Sequence, residues 1–131
     1  MANKFGKRSK ERLDTCHSDL QKIMNKVIKL YDITVLEGHR SEERQNQLKH
    51  EGKSKLEWPN SKHNSNPSKA VDIAPYPIDW NNRERFYYMA GIVKAIADEM
   101  DIEIRWGGDW DSDGEFKDQS FDDLPHFELV D

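Results

Sequence analysis

The chain contains a single cysteine, Cys16, in 131 residues. One cysteine excludes an intrachain disulfide framework and any zinc knuckle built on paired thiolates. Cys16 reads as a small, partly buried residue. Long hydrophobic runs are also missing: no stretch approaches the length needed to span a bilayer. The opening, MANKFGKRSK, is basic but has no apolar segment behind it, so it does not read as a secretory signal. Positive charge is in deficit overall. Twenty Lys and Arg face 25 Asp and Glu, a net charge of −5, which argues against a general nucleic-acid binder. The basic residues do crowd the first half and the acids the last third, leaving room for a local patch that attracts an anionic polymer. Internal repeats, low-complexity tracts and linkers are absent. With 35% hydrophobic and 34% charged residues, the chain is expected to be one domain with a modest core, spanning 1–131 with no second domain.

What is present begins with helical periodicity. Leu20, Ile23, Met24, Val27, Ile28 and Tyr31 repeat at helical spacing, preceded by Ser18 and Gln21, which resemble a capping box. Phe86, Met89, Ala90, Val93, Ile96, Ala97 and Met100 repeat in the same way, behind a cap at Asp79 or Asn81. A third helix should start at Ser41, with Glu42 and Glu43 in its first turn, and close at Gly52. Lys4 to Asp14 forms at most a short helix. Strands are expected at Ile33–Glu37, Ala70–Ala74, Ile102–Trp106 and His126–Val130. Helices long enough to cover one face of a sheet make this a small α+β domain: an antiparallel sheet packed by about three helices.

The chemistry concentrates in Ser61–Pro75, SKHNSNPSKAVDIAP. His63 lies among turn formers. Asp72 interrupts an apolar strand, where Asp is disfavoured, and its alanine neighbours leave space above it. His126 lies in a second alternating segment, LPHFELV. Two imidazoles and a carboxylate on separate segments form a plausible open zinc site, since catalytic zinc takes three protein ligands and keeps one position for water. Taken alone, His63 and Asp72 read equally well as an exposed loop histidine and a turn-capping acid. Asp123, three residues before His126, is placed to exchange a proton with water. Arg40, at the end of the first strand, either reaches into a cleft or pairs with Glu37 or Glu43. Asp109, Asp111 and Asp113, followed by Gly114, match the first half of an EF-hand loop. The match fails at its twelfth position, Ser120, and an acidic hairpin loop is an equal reading of those residues. If calcium binds there, it is a regulatory cofactor that orders the segment leading to His126.

Together, S-x-H, A-V-D, D-x-P-H-F-E-L, the opening KFGKRSKERLDT, EGHR and WGGDW resemble the zinc peptidases of the D-alanyl-D-alanine carboxypeptidase type. Within that group the chain is most similar to the phage L-alanyl-D-glutamate endopeptidases, endolysins that cut peptidoglycan stem peptides. The resemblance implies His63, Asp72 and His126 as zinc ligands and Asp123 as the general base and then acid. It implies Arg40 as the oxyanion or carbonyl partner and Ser61 as a contact behind the ligands or to substrate. The family spacing S-x-H-x-x-G-x-A-x-D is two residues longer here, and Ser68 stands where the glycine falls, so a wider loop is expected. The family implies host lysis: synthesis in the host cytoplasm and release by a separate membrane-permeabilising protein. A monomer that neither binds nucleic acid nor inserts into membrane is expected. A D-alanyl-D-alanine carboxypeptidase or dipeptidase shares the same constellation, and a non-catalytic zinc-containing peptidoglycan-binding module is the remaining alternative.

Overall fold

The computed structural model describes residues 3–110, 112 and 123–131. The order is α1 (Lys7–Leu13), α2 (Ser18–Leu30), β1 (Ile33–Glu37), α3 (Glu42–His50), a single 3₁₀ turn (Lys62–Asn64), β2 (Ala70–Pro75), α4 (Arg83–Glu99), β3 (Ile104–Gly107) and β4 (Asp123–Leu129). The four strands form one antiparallel sheet in the order β1-β2-β4-β3. The expected α+β domain is therefore what the chain adopts, with the short opening helix formed as a fourth.

The strand alternation decides which side chains meet. Val35, Ile73, Val71, Phe127, Trp106 and Ile104 project to one face and pack against the apolar sides of α2 and α4 in a single core. On the opposite face, Glu37 lies in register with Asp72, and Asp72 with His126. The next row places Ala70 beside Glu128 and Glu128 beside Arg105. Period-two alternation thus separates an apolar face from a row of ionisable groups. The β1 edge is covered by α1: Ser9 accepts from the Val35 N–H and Arg12 donates to the Val35 carbonyl. These bonds occupy backbone groups that an edge strand would otherwise expose.

Local expectations differ at four places. The cap of α2 is His17, whose Nδ1 accepts from Asp19 N, rather than Ser18. The fourth helix starts after Asn82 with no side-chain cap, while Asp79 closes a turn onto Asn81. Both faces of β2 are covered: Ala70 and Ala74 are fully buried, as are Val71 and Ile73. The last strand starts at Asp123 rather than His126, so Pro125 lies third within β4. It falls beside the irregularity where the β3 register jumps from Phe127 to Asp123, and the interrupted ladder there tolerates a residue without an N–H.

Candidate metal centre and active site

Each ligand candidate is positioned by a different device. Asp72 is set by strand register. His126 faces it across the β2–β4 ladder. His63 lies in the 3₁₀ turn, where Ser61 acts as a cap: its hydroxyl accepts from His63 N, and its own N–H donates to Asn64. Ser61 is therefore a buried backbone anchor immediately before the ligand, and it also lines the cleft. The longer loop between His63 and Asp72 does not prevent convergence. It packs down through Ser68, fully buried, whose backbone N–H donates to the Thr15 carbonyl.

The three groups meet. One atom from each of His63, Asp72 and His126 lies within 4.8 Å of the others. Asp72 Oδ1 is 3.2 Å from His63 Nε2 and 3.1 Å from His126 Nδ1, and the two rings stand edge to face at 5.1 Å. Their outer nitrogens fix the tautomers. His63 Nδ1 lies 2.7 Å from the Gly38 carbonyl, which can only accept, so that nitrogen carries the proton. His126 Nε2 lies 2.8 Å from Glu128 Oε1. Burial opposes charge on Glu128, but His126 and Arg105 outweigh it and hold the carboxyl down at about 2. An ionised Glu128 accepts only, so Nε2 carries the proton there. Each neutral ring then turns a lone pair toward the same carboxylate oxygen. Three lone pairs converging on one point demand a positive charge between them. The donor set, two imidazoles with their outer N–H groups held plus one carboxylate, suits a divalent metal ion. Without a metal, a proton takes that place. Burial disfavours a charged His126, yet Asp72 and Glu128 prevail and raise its pKa to about 9. Burial likewise opposes ionisation of Asp72, and the flanking imidazoles overcome it, holding its carboxyl well below the ordinary range.

Two further expected residues line the same cleft, a cavity of about 380 Å³. Asp123 opens β4 and puts Oδ2 at 4.0 Å from His126 Nδ1. Burial, aided by the Asp72 charge, raises its pKa. Its position needs Gly107: a Cβ there would lie 2.1 Å from the Asp123 carbonyl oxygen. Arg40 satisfies both of its readings at once. It donates to Glu37 and to Gln45 Oε1, yet its Nη2 lies 3.8 Å from Asp72 Oδ2, at the rim of the metal cluster. Glu43 is not its partner. Of the candidate calcium ligands, Asp111 and Asp113 lie outside the described residues; Asp109 bonds through its backbone to Trp106 and Ser112. Trp58 is exposed and does not line the cleft, whereas Trp110 does, its ring 5.4 Å from that of His126.

Sequence reasoning missed Glu128 and Gly38. The alternation HFEL already placed Glu128 on the face of His126, and a buried acid two residues from a ligand is a detectable signal. Nothing in a sequence marks a backbone carbonyl as a ring's partner.

The chain matches the family described as phage L-alanyl-D-glutamate peptidase over residues 1–130. The L-alanyl-D-glutamate peptidase of Escherichia phage T5 is 35% identical, over 99% of this chain and the whole of that relative. The crystal structure of the L-Ala D-Glu endopeptidase ChiX from Serratia marcescens superposes with a TM-score of 0.77 at 30% identity, covering 96% of this chain and 89% of that one. With the family match running the length of the chain, its relatives peptidases, and the His-Asp-His cluster in place, the chain belongs to the phage L-alanyl-D-glutamate peptidase family.

Proposed function

We propose that this protein is a zinc-dependent peptidoglycan hydrolase that cuts the L-alanyl-D-glutamate bond of stem peptides and serves host-cell lysis. The observation that carries the reading is the convergence of His63 Nε2, Asp72 Oδ1 and His126 Nδ1, each ring fixed from behind. Among the described residues no fourth His, Cys, Asp or Glu joins that cluster, which favours a catalytic over a closed structural site. Bound there, zinc supplies Lewis acidity and lowers the pKa of water toward ~7.

The chain's own groups do the rest. As water attacks the amide carbon, its O–H bond breaks and the proton passes to Asp123. The carbonyl oxygen gains negative charge, and Arg40, held by Glu37 and Gln45, presents its remaining N–H groups to it. The C–N bond then breaks, and Asp123 returns its proton to the departing amine. Glu128 and Gly38 keep both imidazoles from turning through this cycle. The test is digestion of purified cell wall with products read by mass spectrometry. The expected products are a new D-glutamate amino terminus and a new L-alanine carboxyl terminus, lost on chelation and restored by stoichiometric zinc. Release of D-alanine instead would mark a carboxypeptidase, and intact wall a non-catalytic module.

A further inference from the structure

The cleft is lined by several cations besides Arg40, among them Lys53, Lys62 and Arg105. Lys62 and Arg105 both approach Glu128 Oε2, at 3.7 and 2.8 Å. Lys62 is committed: its Nζ donates to the Leu129 carbonyl and also lies 3.7 Å from Asp131. Arg40 is bound to Glu37 and Gln45, and Lys53 lies 3.2 Å from Glu51. Arg105 differs. One N–H, on Nη2, bonds to Glu128, 44% of its side chain stays exposed, and the residue lines the cleft. Its guanidinium is nevertheless steadied, with Cζ 5.7 Å from the centroid of the Trp110 ring. A guanidinium fixed on one side and open on the other is a planar fork ready for a carboxylate.

The proposed scissile bond supplies such a group. The leaving nitrogen belongs to a glutamate, which has two carboxyls, and a chain continuing through one leaves the other on the amine side of the cut. We propose that Arg105, steadied by Glu128 and Trp110, receives that free carboxylate and makes the enzyme select stem peptides in which it is not amidated. This rests on the peptidase reading above and deepens it.

The test compares two muropeptides that differ only in whether this carboxyl is free or amidated, with zinc-loaded wild type, Arg105→Gln and Arg105→Lys. Wild type is expected to favour the free acid by roughly tenfold to a hundredfold in kcat/KM, the range of one charge-assisted hydrogen-bond pair, expressed mainly in KM. Arg105→Gln should erase the preference, and Arg105→Lys keep part of it, each with unchanged zinc stoichiometry. Should Arg105→Gln fail to fold, the wild-type ratio and its reduction in Arg105→Lys decide the matter. Equal cleavage of both peptides by wild type, or a preference surviving in Arg105→Gln, overturns the assignment. Cleavage of neither peptide by wild type overturns the peptidase reading, a distinct result that removes this inference with it.

Discussion

Asp123 and Glu128 flank His126 and do different things to it, so their replacements should separate. Asp123 touches His126 only at 4.0 Å, and its burial-raised pKa fits proton exchange rather than ligation. Asp123→Asn should lower turnover on purified wall by about 10²- to 10⁴-fold while zinc content, read by atomic absorption, stays stoichiometric. Glu128 instead grips Nε2, the outer nitrogen. Glu128→Ala should weaken zinc binding by about 10- to 100-fold in a chelator competition, and Glu128→Gln, whose amide oxygen still accepts, should recover much of the loss. Zinc binding by Glu128→Ala equal to wild type would show that the tautomer needs no such partner. Cys16 illustrates the opposite case, a reactive group kept inert. It is 2% exposed, and burial, opposed only weakly by Thr15, pushes its thiol up to about 12. The native protein should therefore resist iodoacetamide at pH 8 and react only when unfolded, as mass spectrometry would read.

At the scale of elements, the site depends on where β1 ends. Gly38 follows β1, and its carbonyl holds His63 while its α-carbon presses on the end of α1. A Cβ there would lie 2.4 Å from the Arg12 carbonyl oxygen and 2.4 Å from Thr15 Oγ1. Gly38→Ala should cost about 1–3 kcal/mol in denaturant unfolding and weaken zinc binding as well, because the shift moves the His63 partner; normal zinc affinity in a destabilised variant would disconnect the two. The same elements mark what a sequence makes readable. The bounds of β1, the Ser41 cap, the Gly52 stop and the apolar faces of α2 and α4 follow from period and cap chemistry, which act within a few residues. So does the shared face of His126 and Glu128, and the sheet register then brings Asp72 opposite His126. The burial of Ala70 and Ala74 was not readable, because it depends on distant contacts such as those that bring Cys16 and Ser68 beside the start of β2. His17 as a cap, the Gly38 carbonyl and the Arg105–Trp110 contact fail for the same reason: each depends on a rotamer or a backbone atom that no spacing encodes.

Across the whole molecule, the metal cluster couples folding to pH, and the sign can be worked out. In the metal-free protein the positive charge among the three ligands is the proton on His126, whose pKa rises from its ordinary 6.5 to about 9. A group with a raised folded pKa stabilises fully below its unfolded value and loses that contribution as pH climbs through the folded one. The window is therefore about pH 6.5 to 9. Asp72, with its pKa depressed, contributes above its ordinary 3.8 and loses the contribution only in acid; the two shifts describe one ion pair and are not summed. The proposed zinc would run the other way. Replacing that proton, it would bind more tightly as the proton dissociates more readily across the same window, and a ligand that binds only the folded chain adds RT ln(1 + [L]/Kd), about 4.1 kcal/mol at a thousandfold excess over Kd. Thermal melts with chelator should fall from pH 6.5 to 9, while melts with zinc hold level or rise, so the gap between the two curves widens with pH. A gap independent of pH would mean that the ion and the proton do not compete for His126, and that the cluster of His63, Asp72 and His126 is not where the metal binds.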